Sequence, residues 1–373
     1  MSGKVKVLQV IGGMYLGGAE RVVHNIVKKK DDSKFDISIY CTHGIGELGD
    51  DLINDGYTVD LLGRGTGILK TLRKVKQYVT KTKPDVIHTH SISAFLAIAP
   101  LVVFTKMPPW VHTFHFGNYP HIKKQYLYAK RLFGRFATKL VAVSESQRNA
   151  VISHLSVKPD KIMTIFNGVT SNPFLGSLES RAQIRNEFAY TDDDIVLSCI
   201  VVLTEQKGIP YLLNSIDKIV DANPNVKLLI VGGGPLEDEL QRQVSKLRHK
   251  ECVKFAGWRS DVHQIMTGID VFVLPSLWEG LPMVLLEAMA TALPVLVTNV
   301  ADNLNVVGQG ESGYVVPSAD SDALTESAIK LVSDMDKAKA MGQLALQRYQ
   351  SKYTVNKMVS AYEKLYLDVQ STK

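Results

Sequence analysis

Short apolar segments with the length of buried strands alternate with helical segments along the chain, and this alternation limits the fold more than any other feature. Val5–Ile11 is the first such strand. A glycine-rich turn follows over Gly12–Gly18, and a helical segment runs from Ala19 to Val27. Apolar strands that alternate with helices are typical of parallel sheets covered by helices on both faces. The sequence therefore predicts an α/β protein with doubly wound sheets.

The alternation occurs in two series, and 373 residues exceed what one hydrophobic core usually organises. The second series begins near Ile195, and Asn-Gly, Asn-Pro and Gly-Ser pairs mark a boundary within Asn167–Gly176. We expect domains at residues 1–170 and 171–350, followed by a helix within residues 351–373. Sheets of this kind bind ligands beyond the carboxyl ends of their strands. Two such domains facing each other predict a site in the cleft between them.

Charge is divided unevenly between the two halves of the chain. Residues 1–170 hold 24 Lys and Arg against 12 Asp and Glu, whereas residues 171–373 hold 19 against 25, within a total net charge of +6. A basic first half indicates either a surface that meets a polyanion or an anionic membrane, or an ordinary lysine-rich surface. Both interpretations stay open.

Cysteines and apolar runs bear on the cellular location. Cys41, Cys199 and Cys252 are far apart and odd in number, so they predict neither a disulfide framework nor a metal site, and they suit a reducing cytoplasm. The first residues lack the pattern of a secretory signal. The longest uncharged apolar run, Ala94–Phe104, contains Pro100 and falls short of the roughly 20 residues of a membrane span. It predicts a buried helix or strand.

Two glutamates eight positions apart are the clearest candidates for ligand binding. A predicted strand ends at Pro275, Glu279 lies in the following loop, and Pro282 suits the first position of a helix that contains Glu287. Each carboxylate can accept two hydrogen bonds from a vicinal diol, so the pair can hold a sugar and a ribose. The N–H groups at the helix start attract phosphate. Glu287 is surrounded by apolar residues, where a charge needs a partner.

In this context the Glu-x7-Glu segment resembles the signature of the family 4 glycosyltransferases, which have the GT-B fold. Further segments occur in the family's order; they are Gly17–Arg21, Val111–His115, Phe166–Val169, Leu203–Gly208, Val231–Pro235, Phe255–Gly257 and Ser312–Pro317. The resemblance covers nearly the whole chain, and its specificity comes from this order. It implies two Rossmann-like domains facing across a cleft, and a final helix that crosses back to the first domain.

The resemblance also implies an activity: retaining transfer of a sugar, of the hexosyltransferase type, from a nucleotide-sugar donor to an acceptor in polysaccharide or glycolipid assembly. His115 and Glu279 would lie at the reacting centre. The residues that would bind the donor are Gly17, Lys207, Gly280, Leu281, Pro282, Met283 and Glu287. Within this set, Glu287 would hold the ribose and Lys207 the diphosphate. No cofactor and no metal ion is expected, because a lysine, glycine amides and a helix N-terminus can stabilise a departing diphosphate.

Two positions depart from the family's pattern. Val202 stands where the family usually has an arginine that pairs with the lysine, and Ala301–Asn305 lacks the usual two glycines and glutamate. The donor pocket is therefore expected to be altered. The alternative is a catalytically weak or inactive homologue that acts as a binding or partner subunit.

A dinucleotide-binding site is a second alternative. Gly44–Gly49 is a literal G-x-G-x-x-G. It follows the second strand instead of the first, and Asp60 comes too early to be the acidic residue that binds the ribose.

A zinc site is a third alternative, because His88, His90, His112 and His115 occur in two close pairs. His88 and His90 alternate along a strand and are expected to point to opposite faces. No cysteine or carboxylate completes a ligand set, so a metal site is not expected.

Aromatic and basic residues are interleaved between residues 110 and 139. The aromatic ones are Phe114, Phe116, Tyr119, Tyr126, Tyr128, Phe133 and Phe136, and the basic ones are Lys123, Lys124, Lys130, Arg131, Arg135 and Lys139. With the basic amphipathic segment Leu69–Lys83, they predict either contact with an anionic membrane or a solvated basic face. A membrane would suit a lipid-linked saccharide acceptor. Nucleic acid is not an expected partner, since no recognition motif accompanies the charge. The expected location is the cytoplasm, with peripheral attachment at the inner face of the membrane in the first case.

Overall fold

The chain forms two compact units in a computed structural model that describes residues 3–63, 67–115 and 124–371. Unit 1 consists of the residues up to Gly168 together with those from Val355 onward, and unit 2 spans Val169–Thr354. The boundary between Gly168 and Val169 falls inside the Asn-Gly-rich segment.

The described part of unit 1 contains a seven-stranded sheet. Its strands are β1 (Val5–Gly13), β2 (Phe35–Gly44), β3 (Val59–Leu61), β4 (Val86–Thr89), β5 (Trp110–Phe114), β6 (Lys139–Ala142) and β7 (Ile162–Thr164). They lie in the order β3-β2-β1-β4-β5-β6-β7, and every neighbouring pair is parallel. The chain passes from β1 to one side and later returns to the other side, so the strand order reverses between β1 and β4.

Helices connect these parallel strands. They are α1 (Gly18–Lys29), α2 (Gly46–Asn54), α3 (Ile68–Thr82), α4 (Ile92–Phe104), α5 (Lys124–Phe133) and α6 (Glu145–Leu155). The residues of α1 that are buried recur at helical spacing, and they are Val22, Val23, Ile26 and Val27.

Helix α4 continues past Pro100 to Phe104, whereas the sequence predicts an end at Ala99. A proline inside a helix removes one backbone hydrogen bond and crowds the preceding turn. In α4 the side chains of Phe95 and Ile98 are completely buried in the core of unit 1. Tertiary packing of this kind outweighs the local preference of a single residue.

Unit 2 contains a second parallel sheet, six-stranded within the described residues. Its strands are β8 (Ile195–Ile200), β9 (Val226–Val231), β10 (Val253–Gly257), β11 (Val271–Leu274), β12 (Val295–Thr298) and β13 (Gly313–Val316). Their order is β10-β9-β8-β11-β12-β13, again with parallel pairs, so the strand order reverses between β8 and β11. The helices of unit 2 are α7 (Leu178–Glu187), α8 (Ile209–Ala222), α9 (Glu237–Val244), α10 (Val262–Gly268), α11 (Met283–Ala290), α12 (Asn303–Val307), α13 (Ser321–Val332) and α14 (Met335–Lys352).

Helix α15 (Val355–Gln370) follows unit 2 in the chain and belongs to unit 1. It packs against α1, β1 and β4. Tyr362 and Tyr366 lie on its buried face and are completely inaccessible to solvent. Their hydroxyl groups hydrogen-bond to side chains of the sheet, so α15 brings polar as well as apolar groups to the core of unit 1.

Two strands, β7 and β13, are absent from the sequence prediction. The segment that contains β13, Ser312–Pro317, resembles a late turn of the family, and its sequence therefore predicts a turn instead of a strand. At the first residue of β13, Gly313, a Cβ atom would lie 1.9 Å from the carbonyl oxygen of Val295. The glycine therefore allows β13 to approach β12 closely and pair with it.

The apolar run Ala94–Phe104 lies within α4. In the part of the chain that the structure describes, no helix combines the length and the apolar character needed to cross a membrane.

Candidate functional site

Lys207 and Glu279 meet where the strand order of unit 2 reverses. Doubly wound sheets bind their ligands at this point, beyond the carboxyl ends of the strands. Lys207 lies in the loop after β8 and Glu279 in the loop after β11. Lys207 Nζ is 2.6 Å from Glu279 Oε1, and the two side chains are 16% and 6% exposed. The sequence names both residues, and the fold joins them in a largely buried ion pair.

Two further side chains hold the Glu279 carboxylate. Ser276 Oγ donates a hydrogen bond to Oε1 at 2.8 Å, and Gln206 Nε2 lies 3.4 Å from Oε2 and donates to the carbonyl oxygen of Trp278 at 2.9 Å. Ser276 is completely buried. Ser276 and Gln206 are not among the site residues that the sequence predicts. A hydroxyl three positions before a loop glutamate and an amide next to the loop lysine are the signals that point to them.

The backbone around Gly208 brings the two loops together. The amide of Leu277 donates to the carbonyl oxygen of Gln206 at 2.7 Å. Gly208 has a φ of +61°, and a Cβ atom there would lie 2.1 Å from the carbonyl oxygen of Pro275. Only glycine fits this close approach in a left-handed conformation. The position of Lys207 beside Glu279 therefore depends on the neighbouring glycine.

The segment after Glu279 leads into α11. Gly280, Leu281, Pro282 and Met283 are buried. The helix begins at Met283, so Pro282 is the N-cap instead of the first helical residue, and its side chain supplies no capping acceptor.

Glu287 lies on the second turn of α11 and is 8% exposed. One carboxylate therefore sits in the loop and the other on the helix that follows. The uncapped amides of the first helical turn carry the positive end of the helix dipole.

Two other residues at the same edge of unit 2, Val202 and Trp258, are exposed instead of buried. The side chain of Val202 is 40% exposed. Trp258, which follows β10, is 65% exposed, and its Nε1 would lie 2.4 Å from a Cβ atom at Gly233. Trp258 is not among the site residues that the sequence predicts. An aromatic residue directly after the Phe255–Gly257 segment is the signal for it.

The segment Ala301–Asn305, which departs from the family pattern, makes hydrogen bonds within unit 2. Asn303 is completely buried and donates a hydrogen bond from Nδ2 to the carbonyl oxygen of Thr298 at 2.9 Å. The carbonyl oxygen of Asn305 accepts a hydrogen bond from Arg348 Nη2 at 2.7 Å.

Unit 1 has its own reversal point, between β1 and β4. Gly17 is the N-cap of α1 with an extended backbone, and no side chain caps the helix start. A Cβ atom at Gly17 would lie 2.3 Å from Glu20 Oε2, at the mobile end of that side chain. His115 follows β5 and is partly buried. Gly17 and His115 thus belong to unit 1, and the other seven predicted site residues belong to unit 2.

The prediction that His88 and His90 point to opposite faces is wrong, because their ring centroids lie 3.9 Å apart. Residues two positions apart along a strand share a face. His90 Nδ1 is 2.9 Å from His115 Nε2, and His90 Nε2 is 2.6 Å from Gln9 Oε1. The histidines therefore join a hydrogen-bond network within unit 1. Among the described residues, no group of three or more His, Cys, Asp or Glu side chains is arranged to hold a metal ion.

Burial keeps these imidazoles uncharged. It lowers the pKa values of His88, His90 and His112 well below their usual range. Burial, followed by the charge of Lys130, lowers the pKa of His115 to about 3. Each imidazole is therefore neutral at pH 7 and carries one ring proton.

Part of the predicted aromatic and basic surface is buried. Phe114 and Lys130 are 2% and 8% exposed, and Lys130 Nζ lies 4.9 Å from the centroid of the Phe114 ring. Burial lowers the pKa of Lys130 to about 8. These two residues do not belong to an exposed surface. Phe116, Tyr119 and Lys123 lie outside the described residues.

The G-x-G-x-x-G segment does not lie at a reversal point. Gly44–Gly49 connects β2 to α2, whereas the strand order of unit 1 reverses between β1 and β4. A dinucleotide bound in the usual way would contact the turn after β1. The geometry therefore does not support the dinucleotide alternative.

Comparison with known proteins identifies the family. The model of the family described as Glycosyltransferase Family 4 matches residues 16–172, and that described as Glycosyl transferases group 1 matches residues 180–348. The chain is 28% identical to the UDP-Gal:alpha-D-GlcNAc-diphosphoundecaprenol alpha-1,3-galactosyltransferase of Escherichia coli, over 98% of this chain and 97% of the relative. It is 26% identical to the capsular polysaccharide biosynthesis glycosyltransferase CapM of Staphylococcus aureus, over 80% of each chain.

Solved structures share the architecture. The crystal structure of Anabaena Alr3699/HepE in complex with UDP superposes with a TM-score of 0.88 at 21% identity, over 98% of this chain and 100% of that one. The crystal structure of the same protein in complex with UDP-glucose superposes with a TM-score of 0.86 at 22% identity, over 96% of this chain and 99% of that one. The fold is that of the GT-B glycosyltransferases. The two family models, which together match most of the chain, place the protein in glycosyltransferase family 4, and its relatives are named glycosyltransferases, so it is a sugar-transferring enzyme.

Proposed function

We propose that this enzyme transfers a hexose, with retention of anomeric configuration, from a UDP-sugar to a lipid-linked saccharide in polysaccharide or glycolipid assembly. The observation that carries the proposal is the buried pair of Lys207 and Glu279 at the reversal point of unit 2, with Glu287 eight residues further on. A nucleotide sugar has one diphosphate and two diols, one on the sugar and one on the ribose. The lysine suits the diphosphate, and the two carboxylates suit the two diols.

The reaction breaks the bond between the anomeric carbon and the diphosphate oxygen, so negative charge develops on the leaving group. Lys207 has three N–H donors, and Glu279 Oε1 uses one of them at 2.6 Å. The others, with the amides at the start of α11, can stabilise the departing diphosphate without a metal ion. The carboxylate of Glu279, held by Ser276, accepts hydrogen bonds from the sugar hydroxyls. Glu287 accepts those of the ribose diol.

The choice of uridine rests on the relatives. The Escherichia coli relative is named for UDP-Gal, and Anabaena HepE was crystallised with UDP and with UDP-glucose. The exposed indole of Trp258 offers a flat apolar face on which a base can stack. The acceptor proposal follows the same relative, whose name specifies a diphosphoundecaprenol-linked sugar.

Replacement of Glu287 with alanine tests the donor site. We expect UDP to raise the melting temperature of the wild type more than GDP or ADP does, by mass action, and UDP-sugar turnover to be measurable. Glu287→Ala removes two charge-assisted hydrogen bonds to the ribose, so kcat/KM is expected to fall about 100-fold or more. Glu326→Ala, an exposed glutamate on α13, is the matched control and leaves both quantities unchanged.

Two outcomes of this assay would contradict the proposal. If Glu287→Ala turns over the UDP-sugar as fast as the wild type does, Glu287 does not bind the donor. UDP binding without turnover of any nucleotide sugar would support the inactive, partner-subunit alternative. The anomeric proton coupling of the product reports retention, and turnover in excess EDTA reports whether a metal ion is needed.

An apolar and basic surface on unit 1 supports membrane attachment as part of this function. Helix α3 packs on α4, which in turn packs on α5. Large apolar side chains protrude from these helices and the turn after α5, and they are Leu69 (83% exposed), Phe104 (80%), Tyr128 (67%), Leu132 (51%) and Phe136 (40%). Exposed bases occur on α3, α5 and the same turn, namely Lys70, Arg73, Lys76, Lys124, Arg131 and Arg135. Anionic lipid headgroups attract such bases while apolar side chains enter the interface.

The double variant Leu69→Ser, Phe104→Ser tests this attachment. We expect the wild type to sediment with anionic vesicles at low salt and to be released as salt screens the charges. Loss of two large apolar side chains is expected to weaken binding about 100-fold or more, at about 1.5–3 kcal/mol for each side chain. Leu178→Ser, at a leucine of unit 2 that is 81% exposed, is the control and binds as the wild type does. Equal loss in the control, or no wild-type binding at low salt, would overturn the attachment.

A further inference from the structure

A buried chain of hydrogen bonds runs from α15 to His115. Tyr366 of α15 accepts a hydrogen bond from Gln9 Nε2 at 2.8 Å. Gln9 Oε1 lies 2.6 Å from His90 Nε2, and His90 Nδ1 lies 2.9 Å from His115 Nε2. Gln9, His90 and Tyr366 are at most 3% exposed. The contacts join β1, the end of β4, α15 and the residue after β5.

The side-chain amide of Gln9 fixes which group donates and which accepts in each of these hydrogen bonds. Its Nε2 faces Tyr366 and its Oε1 faces His90, and an amide oxygen can only accept. His90 therefore carries its ring proton on Nε2 and presents a lone pair on Nδ1. His115 must then donate from Nε2, which leaves the lone pair of its second nitrogen, Nδ1. The phenol of Tyr366 uses its own proton toward His88 Nδ1, 2.8 Å away.

We propose that Gln9 and Tyr366 are positioning residues that act through His90 to keep the ring proton of His115 on Nε2. This inference rests on the proposed sugar transfer and on the role that the family resemblance implies for His115, a place at the reacting centre. With its proton on Nε2, His115 offers Nδ1 as a hydrogen-bond acceptor for a sugar hydroxyl. A proton on Nδ1 would turn that nitrogen into a donor and leave the hydroxyl without its acceptor.

A second tyrosine of the same helix provides the contrast. Tyr362 is also completely buried, and its hydroxyl lies 3.3 Å from Thr113 Oγ1, which is 2.7 Å from His88 Nε2. Tyr362 therefore joins the far side of the network, beyond Tyr366 and His88, and makes no hydrogen bond to Gln9. If the network serves packing alone, loss of the Tyr362 hydroxyl and loss of the Tyr366 hydroxyl should have the same effect on the His115 tautomer and on kcat, since each leaves buried polar groups unpaired.

Nitrogen NMR of the full-length protein, with histidine labelled by ¹⁵N, tests the proposal directly. The protonated and bare ring nitrogens of a neutral imidazole differ widely in chemical shift, and His115→Gln assigns the signals by their loss. We expect the Nε2–H form of His115 in the wild type and in Tyr362→Phe. In Tyr366→Phe the Gln9 amide loses its acceptor, so the Nδ1–H form should appear. An Nδ1–H form in the wild type, or no difference between the two tyrosine variants, would overturn the proposal.

Kinetics provide the second readout. Tyr366→Phe is expected to lower kcat about fivefold to tenfold, the effect of one neutral hydrogen bond, with a smaller change in KM for the UDP-sugar. Tyr362→Phe is expected to keep the wild-type kcat, even if both variants melt earlier. Equal kcat values in the two variants would overturn the positioning role. The NMR result does not depend on turnover, so an enzyme without UDP-sugar activity would refute the proposed function and leave the tautomer measurement intact.

Discussion

Replacement of Lys207 with methionine is expected to lower kcat for UDP-sugar turnover by a factor of about 100 to 1,000. This is the usual effect of removing one preorganised group that stabilises charge in the transition state. Lys207 Nζ lies 2.6 Å from Glu279 Oε1, so the variant also leaves a carboxylate that is 6% exposed without its cation. We therefore expect unit 2 to lose about 3–5 kcal/mol of stability in urea, since breaking a largely buried pair leaves an uncompensated charge.

A double-mutant cycle separates the two effects. In Lys207→Met, Glu279→Gln the uncompensated charge is gone, so stability should return toward that of the wild type while turnover stays low. Lys218→Met is the control, because Lys218 and Asp322 form an ion pair in which both side chains are more than half exposed. That variant should keep the wild-type kcat and a stability close to that of the wild type, because exposed ion pairs contribute little. Recovery of turnover in the double variant would show that Lys207 acts only by neutralising Glu279.

The substitution Gly208→Ala is expected to destabilise unit 2 by about 2–5 kcal/mol. The left-handed backbone at φ +61° costs a non-glycine residue about 1–2 kcal/mol, and overpacking typically adds about 1–3 kcal/mol. The added Cβ would lie 2.1 Å from the carbonyl oxygen of Pro275, which belongs to the backbone and cannot rotate away. Urea denaturation of the two proteins measures the difference.

Gly257 provides a matched control. It has nearly the same backbone angle, φ +65°, but a Cβ atom there would have no neighbour within 4 Å. Gly257→Ala should therefore reduce stability only by the cost of the left-handed backbone, about 1–2 kcal/mol. Equal losses in the two variants would show that the approach of Gly208 to Pro275 contributes nothing to stability. A larger loss at Gly208, together with reduced turnover, would tie that approach to the position of Lys207.

The sequence predicts most of the fold because each strand carries its own signal. Apolar runs bounded by glycine and polar residues locate nearly all strands of both sheets. The misses have local causes: β7 is only three residues long, and β13 begins at a glycine that sequence analysis assigned to a turn. Helix α4 passes Pro100 because the packing of its apolar residues, which periodicity does not measure, outweighs a local preference.

The candidate site is harder to predict than the fold, because its contacts join distant parts of the chain. Lys207 and Glu279 are 72 positions apart, and they meet because β8 lies beside β11. Gln9 and Tyr366 are 357 positions apart, so no spacing indicates their hydrogen bond. The error over His88 and His90 is of another kind. The strand period alone places both residues on one face, and the structure shows their rings in contact.

The place of α15 in unit 1 has a consequence for protein synthesis. The chain emerges from the ribosome in order, so residues up to Gly168 appear long before Val355–Gln370. At about 5–20 residues per second, the intervening segment takes roughly 10–40 s to make. During that time β1 and β4 lack the helix that covers them, and Gln9 and His88 lack the hydroxyl of Tyr366. The nascent first half must therefore stay soluble while β1 and β4 are uncovered. The chain of unit 2 is made during that time, so it is complete before the chain of unit 1 is.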